Sequence, residues 1–333
     1  MMLKTIGWLI SLTLGLLVAS PPAGAQSAGR IAQIGVLGLG FPPSEAQLQR
    51  SPFRQALREL GWVEGKNIVF ESRFAEENLD RLPALAAELV RLPVDVIVAT
   101  NTPTAKAAQQ ATKTIPIVAY MGDAMEMGLV ASLARPGGNI TGVSVQNAET
   151  AGKRLQLLKE AVPQASRVAV LWNAAHPNKA LEWQETQVAA RALGVTLQSV
   201  EVRTPDDFAG AFSAITRGRA DALITFAEPL TITHRRQIVA FATQNRLPMM
   251  ATYREFVEAG GLMNYGVRVR DQDRHLAVYV DKILQGAKPT DLPVEQPTKF
   301  ELVINLKTAR LLGLTIPQSV LLRADRLVKD VAR

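Results

Sequence analysis

The chain has 333 residues, of which 37 are Lys or Arg and 30 are Asp or Glu, giving a formal net charge of +7 at neutral pH. It contains no cysteine, which excludes disulfides, thiolate metal sites, iron–sulfur clusters and lipid attachment through cysteine. The basic residues are scattered and aromatic residues make up only 5% of the chain, so we expect a solvated basic surface and no nucleic-acid partner.

The first 25 residues have the three parts of a secretory signal. Lys4 gives a positive start, an apolar run extends over Ile6–Ala19, and Ala23 and Ala25 occupy the −3 and −1 positions of a cleavage site. A transmembrane anchor is the alternative, but it needs about 20 apolar residues, and Pro21 ends the run too early. The sequence therefore predicts cleavage after Ala25 and a periplasmic protein without a direct membrane anchor.

From residue 31 onward, short apolar runs typical of strands alternate with amphipathic runs typical of helices. The strands predicted in the first half are 31–37, 67–74, 94–99, 115–120 and 140–145. The helices predicted between them are 45–60, 79–91 and 103–111. Strands separated by helices indicate βαβ units and a parallel sheet.

The same alternation starts again in the second half. The predicted strands are 167–172, 195–202, 220–225 and 247–251, and the predicted helices are 149–160, 179–193, 204–216 and 232–245. Two such runs predict an α/β fold with two doubly wound parallel-sheet lobes joined by a hinge. We expect residues 30–145 and about 266–297 in the first lobe, and residues 146–265 and about 298–333 in the second.

Ligands of open α/β sheets bind beyond the carboxyl ends of the strands, so the loops there are the expected site. In the loop Thr100-Asn101-Thr102, Thr102 is expected to cap a helix whose first position is Pro103. The exposed N–H groups of such a helix end bind a carboxylate or phosphate well. The alternative is an ordinary capped helix start with no ligand.

Side chains at the other strand ends complete the predicted site. Asp123 and Glu228 are available for an ammonium group, and the tyrosines could form apolar walls, although core packing explains most such aromatics. The candidate ligand-binding residues are Gly40, Phe41, Thr100, Asn101, Thr102, Tyr120, Met121, Asp123, Asn173, His176, Glu228, Tyr253 and Tyr265.

The sequence predicts no catalytic residues, no metal site and no cofactor. A dinucleotide-binding motif beginning at Gly38 would need glycine at position 43, where Pro43 stands. The three histidines are isolated from one another, which is unlike a metal-binding pair. The segment 142–146 approximates a nucleophile elbow but lacks its second glycine.

Six segments, spread in order over nearly the whole chain after the signal, carry a family resemblance. They are Phe53–Ile68, Arg81–Val98, Gly128–Gly142, Gly152–Val162, Phe256–Gly266 and Leu292–Leu314. Together they resemble the ABC-transporter substrate-binding proteins that include tryptophan- and tyrosine-binding members. The resemblance implies a type I periplasmic-binding fold, with hinged lobes that close on a small solute and no catalysis.

The sequence departs from the family pattern near the expected cleft. Ala124 follows Asp123 where the family often has proline, and Asn173–Pro177 replaces an Asn-Pro-x-Asn-Pro-like loop. After Tyr265-Gly266, the usual proline and acidic or amide residue are replaced by Val267-Arg268. The fold assignment does not depend on these positions, but the ligand of a relative cannot be transferred across them.

The function expected from these observations is that of a monomeric periplasmic solute-binding component of an ABC importer, which passes its ligand to an inner-membrane permease. An amino acid or an aromatic carboxylate fits the candidate residues best. The alternative is an extracytoplasmic sensor that presents its ligand to a membrane receptor. A transcription regulator with the same two-lobed core would need a DNA-binding segment where the export signal stands.

Overall fold

The computed structural model describes residues 31–329. The predicted signal peptide lies outside the described residues. No helix within 31–329 combines the length and apolar character needed to cross a membrane.

The first sheet has five parallel strands in the order β2-β1-β3-β4-β5. They are β1 (Ala32–Gly38), β2 (Ile68–Phe74), β3 (Val96–Ala99), β4 (Ile117–Gly122) and β5 (Ile140–Val145). The helices between them are α1 (Glu45–Gln49), α2 (Pro52–Glu59), α3 (Leu82–Arg91) and α4 (Thr102–Ala111), with a 3-10 turn at Leu79–Arg81. Every side chain of β3 is buried, as expected for a parallel sheet covered on both faces.

The single helix predicted over 45–60 is wrong, because the structure has two helices there. The chain leaves α1 after Gln49 and starts α2 at Pro52, with the Ser51 hydroxyl accepting a hydrogen bond of 3.4 Å from the Arg54 N–H. Proline inside a helix removes a backbone hydrogen bond and clashes with the preceding turn, whereas proline is well tolerated at the first helical position. Pro52 therefore starts a new helix.

The second sheet has seven strands in the order β12-β11-β10-β9-β8-β6-β7. They are β6 (Arg167–Trp172), β7 (Thr196–Glu201), β8 (Ala222–Thr225), β9 (Met249–Ala251), β10 (Met263–Val267), β11 (Phe300–Asn305) and β12 (Arg326–Val328). The remaining helices are α5 (Asn147–Ala161), α6 (Lys179–Leu193), α7 (Asp207–Arg217), α8 (Pro229–Thr233), α9 (Arg235–Gln244), α10 (Arg254–Glu258), α11 (Val269–Leu284), α12 (Leu306–Leu311) and α13 (Gln318–Leu321). Only the β10–β11 pair among these described strands is antiparallel.

Each sheet forms a lobe with the helices that pack on it, and the chain passes between the lobes three times. It leaves β5 for α5, and it returns after β10 to α11, which packs against α2 and β3–β5 of the first sheet. The Trp62 indole N–H donates to the Asp281 carboxylate at 2.8 Å in this contact. The chain then runs beside β5, where the Glu295 N–H donates to the Gly142 carbonyl at 2.9 Å, before it enters β11. The predicted α/β fold with two mostly parallel-sheet lobes is confirmed.

Candidate ligand-binding cleft

The carboxyl ends of strands from both sheets border a cleft of about 430 Å³. The first lobe contributes residues after β1 and β3 and at the end of β4, and the second contributes residues after β6, β8 and β9. In each sheet the strand order reverses beside the first strand, at β1/β3 and at β6/β8. Open α/β sheets bind ligands at such switch points, and the volume lies within the range of about 300–1,000 Å³ typical of small-molecule sites.

Eight of the thirteen predicted site residues line this cleft. They are Gly40, Thr100, Asn101, Thr102, Tyr120, His176, Glu228 and Tyr253. All eight follow a strand of one sheet or stand at its carboxyl end, as the strand-end argument requires.

Three predicted residues lie away from the cleft. The side chain of Phe41 is exposed to solvent. Met121 is buried in the core of the first lobe, because it follows the cleft residue Tyr120 in β4 and successive strand side chains point to opposite faces. The ring of Tyr265 in β10 stacks on Phe300 of β11, with 5.8 Å between the ring centroids.

Asp123 and Asn173 are buried and do not line the cleft, but each bonds to a residue that does. The Asp123 carboxylate accepts hydrogen bonds from the Ala148 N–H at 3.3 Å and the Asn178 amide at 3.5 Å. Burial and, after it, the charge of Glu182 raise the pKa of Asp123 to about 6. The Asn173 amide donates to the Glu228 carboxylate at 3.4 Å.

The predicted cap of α4 is wrong by one residue. Asn101 is the cap, and its side-chain oxygen accepts from the Thr104 N–H at 3.1 Å. Thr102 is the first helical residue, and its hydroxyl accepts from the Gly122 N–H at 2.8 Å. The Thr100 hydroxyl donates to a backbone carbonyl of β1 at 3.4 Å. All three side chains expected for an anion therefore already have partners in the protein.

Glu228 caps α8, which makes the predicted helix 232–245 wrong at its start. Its carboxylate accepts from the Thr231 N–H at 2.8 Å and the Leu230 N–H at 3.2 Å. The helix therefore begins at Pro229, and a break at His234 separates α8 from α9. Burial raises the pKa of Glu228.

Besides the Asp123–Asn178 hydrogen bond, two further side-chain contacts of the described residues join the lobes. The hydroxyls of Tyr120 and Tyr253 lie 3.0 Å apart. Burial raises the pKa of Tyr253 to about 12 and the pKa of Tyr120 well above its ordinary value, so both remain neutral hydroxyls. In the second contact, the His234 Nε2 lies 3.8 Å from the Glu77 carboxylate.

A buried cluster of three charged side chains lies beside the cleft. Glu182 of α6 accepts from Arg154 of α5 at 2.5 Å and from the ammonium group of Lys179 at 2.7 Å. None of the three is more than 1% exposed, and Lys179 also lines the cleft. Two cations share one carboxylate, so the cluster holds one positive charge that is not neutralised within it.

Several buried polar atoms of the lining have no hydrogen-bond partner among residues 31–329. They are both ring nitrogens of His176 and the side-chain oxygens of Asn147 and Asn178, although the Asn178 amide lies beside the imidazole. Burial and the charge of Lys179 lower the pKa of His176 to about 3, so its ring is neutral. Because buried polar groups are nearly always hydrogen-bonded, these atoms are suited to bind a polar group that enters the cleft.

Sequence reasoning missed the apolar wall on the first-lobe side. It comes from α2, β2 and α11, and includes Phe53, Phe70, Phe74 and Leu276. The Arg54 guanidinium lies 4.2 Å from the centroid of the Phe70 ring. Phe53, Phe70 and Leu276 lie inside helices or a strand and Phe74 is the last residue of β2, so none of the four is in a strand-end loop. Helix α11 also reaches the first lobe from far along the chain, which no local signal indicates.

Two acidic side chains of the lining were also missed. Asp273 of α11 and Glu255 of α10 come from opposite lobes, and neither carboxylate has a hydrogen bond or ion pair within the described residues. Burial, together with the charge of Glu255, raises the pKa of Asp273 to about 7. This side of the cleft is therefore acidic, in contrast to the side that holds Lys179.

The chain has the two-lobed fold of type I periplasmic-binding proteins. The model of the ABC transporter substrate binding protein family matches residues 43–328, and the chain belongs to that family. Its members bind solutes and are not enzymes, in agreement with the expectation from the sequence.

Three relatives are each similar to most of the chain. A tyrosine-binding protein of Clostridioides difficile is 27% identical over 282 residues, which cover 84% of this chain and 81% of that protein. A crystal structure from Streptococcus pneumoniae in complex with L-Trp is 27% identical over 89% of this chain and 99% of its own, with a TM-score of 0.81. A ligand-free, open substrate-binding protein from Clostridium difficile is 25% identical over 89% of this chain and 99% of its own, with a TM-score of 0.62.

Proposed function

We propose that this chain is the periplasmic solute-binding component of an ABC importer, and that it captures an amino acid or an aromatic carboxylate in the cleft between its lobes. The observation that carries this proposal is the division of the cleft into an apolar wall with three phenylalanines and a polar side with buried, unpartnered atoms. Such a cleft suits a small solute with an apolar body and a polar end. The relatives that bind tyrosine and tryptophan support the same ligand class.

In this proposal the ligand contacts the eight predicted residues that line the cleft, with its apolar body against Phe53, Phe70 and Leu276. An amino group of the ligand would lie near Glu228 or near the unpartnered carboxylates of Asp273 and Glu255. Asp123 would act on the ligand only through Asn178, to which it is bonded.

We propose that the lobes move about the three connections, with the first lobe formed by 30–145 and about 266–297, and the second by 146–265 and about 298–333. The Tyr120–Tyr253 contact would then form on closure and break on opening. The chain superposes better on the tryptophan complex than on the open relative at nearly equal identity, which supports a closed arrangement. A ligand with higher affinity for the closed state would shift the equilibrium toward it.

Export and delivery complete the proposal. The signal is removed after Ala25, and the monomeric mature protein passes its ligand to an inner-membrane permease. Intact mass measurement of protein from the periplasmic fraction should give a chain that begins at Gln26; an uncleaved chain would contradict export by this signal.

Calorimetric titration against the standard amino acids and a set of aromatic carboxylates tests the ligand class. We expect saturable binding of at least one member, and a set without any binder would contradict the proposal. Uptake of that ligand by cells that lack the gene then separates transport from sensing. Reduced uptake supports the importer, whereas normal uptake with a lost response to the ligand supports the sensor.

A further inference from the structure

We infer that Lys179 recognises an anionic group of the ligand, a carboxylate, and that Glu182 and Arg154 position its ammonium group for this contact. The inference rests on the proposed function, because it assigns one end of the ligand within the proposed cleft. Lys179 takes the anion-binding role that the sequence predicts for Thr100, Asn101 and Thr102, because those three side chains are already bonded within the protein.

The charges around Lys179 favour an anion. Its ammonium group donates to Glu182, which also binds Arg154, so the carboxylate is shared between two cations. An ammonium group has three donors, and the ion pair with Glu182 uses one of them. A ligand carboxylate would complete its hydrogen bonds and neutralise the remaining charge.

The acidic groups nearest to this cluster are already engaged elsewhere. Glu228 caps α8 through two backbone N–H groups, and Asp123 accepts from the Ala148 N–H at the start of α5. Both carboxylates therefore lie at the positive ends of helix dipoles. Neither carboxylate is hydrogen-bonded to Lys179 within the described residues; burial raises the pKa of both, and the charge of Lys179 lowers it. Two donors of the Lys179 ammonium group therefore remain for a ligand.

The position of Lys179 in its helix also favours an anion. It is the first residue of α6, a helix of 15 residues. A buried cation at a helix N-terminus is electrostatically unfavourable, since that end is already positive. The same place is favourable for an anion that enters the cleft, because the ammonium group and the helix end then both attract it.

Unpartnered polar groups lie beside Lys179. His176 is 4% exposed and lines the cleft, and within the described part of the chain neither its ring nitrogens nor the Asn178 side-chain oxygen has a hydrogen-bond partner. A neutral imidazole can donate one hydrogen bond to a carboxylate oxygen. Gly122 leaves room for this arrangement, since a Cβ there would lie 2.3 Å from the Asn178 amide nitrogen.

The test compares carboxylates with their uncharged amides in calorimetric titrations. The probes are L-tyrosine, L-tryptophan and phenylacetate, each paired with its amide. The variants are Lys179→Met and Lys179→Gln, which leave the Arg154–Glu182 pair intact, and thermal unfolding verifies that they fold. Lys307→Met is the matched control, because Lys307 lies in the first turn of α12, is exposed and is outside the cleft lining.

We expect the wild type to bind a carboxylate at least about tenfold more tightly than its amide, as charged hydrogen bonds are worth about 1.5–3 kcal/mol. Lys179→Met should weaken carboxylate binding about 10- to 100-fold and bring the acid-to-amide ratio close to one, while Lys307→Met changes neither. An unchanged ratio in the folded Lys179 variants would overturn the inference, as would a wild type that binds no carboxylate of the set.

The same titrations separate this inference from the proposed ligand class. If phenylacetate binds through Lys179 and no amino acid binds, the carboxylate contact stands and the amino-acid ligand is wrong. If an amino acid binds equally well to wild type and Lys179→Met, the ligand class stands and the role of Lys179 is wrong.

Discussion

The hydroxyl groups of Tyr120 and Tyr253 lie 3.0 Å apart and join the two lobes across the cleft. Tyr120 belongs to β4 of the first sheet, and Tyr253 precedes α10 of the second lobe. Both rings line the cleft, so the bond closes over the space proposed for the ligand.

We predict that Tyr120→Phe and Tyr253→Phe each weaken ligand binding by a few-fold, because each removes the same interlobe hydrogen bond, worth about 0.5–1.5 kcal/mol. The double variant should lose no more than either single variant, since only one bond is removed. Calorimetric titration measures the three affinities, and Tyr265→Phe, outside the cleft, serves as the control. Additive losses would show that the two hydroxyls act separately.

The buried charges predict unequal losses of stability for two substitutions. Glu182→Gln leaves Arg154 and Lys179 buried without a carboxylate, and breaking such a pair costs about 3–5 kcal/mol. Lys179→Met leaves one balanced ion pair and should cost clearly less. Chemical denaturation of the ligand-free protein measures both free energies of unfolding. Equal losses would contradict the shared role of Glu182.

The carboxyl group of Asp273 predicts a dependence of stability on pH. Its pKa is raised from 3.8 to about 7 in the folded protein by burial and by Glu255, so the folded state binds the proton more tightly than the unfolded state. Its contribution to stability is present below about pH 4 and is lost as the pH rises from about 4 to about 7. Asp273→Asn should remove this loss and make the ligand-free protein more stable than wild type at pH 8.

Thermal unfolding of the ligand-free protein between pH 5 and pH 8 measures this difference. Asp271→Asn is the control on the same helix, because its carboxylate is exposed and bonded to Arg268 at 3.3 Å. A wild type and an Asp273→Asn variant with parallel pH profiles would rule out the titration of this group.

The apolar wall predicts a loss that depends on the ligand. Phe70→Leu keeps the site apolar but removes a ring, and aromatic contacts contribute about 0.5–1.5 kcal/mol beyond their buried area. We expect affinity for an aromatic ligand to fall by about 2- to 10-fold, with no such loss in Phe300→Leu, whose ring pairs with Tyr265 outside the cleft. Calorimetric titration measures both affinities. Equal losses in the two variants would show that the Phe70 ring does not contact the ligand.

The fold could be predicted because each βα unit carries a local signal. The buried run of β3 and the turn at Gly194, which ends α6 with a φ of +63°, are both visible in the sequence. Pro52 also indicates the break between α1 and α2, but the apolar periodicity of 45–60 favoured a single helix. Helix boundaries depend on single caps, such as Asn101 in place of Thr102.

The site was less predictable because it is assembled from distant parts of the chain. Strand ends identified His176 and Glu228, whose positions follow from topology alone. Nothing local indicated that Asp273, on a helix after β10, would return to the first lobe and face Glu255. The role of Lys179 depends on Glu182, three residues along the same helix, and through it on Arg154 of α5. The contact with Arg154 is tertiary, and sequence spacing does not show it.

Native mass spectrometry of the protein purified from its own periplasm tests the central claim most directly. The account predicts one small molecule bound per chain, with the mass of an amino acid or an aromatic carboxylate, released when the protein is denatured. A bound sugar or another solute without a carboxylate would contradict it.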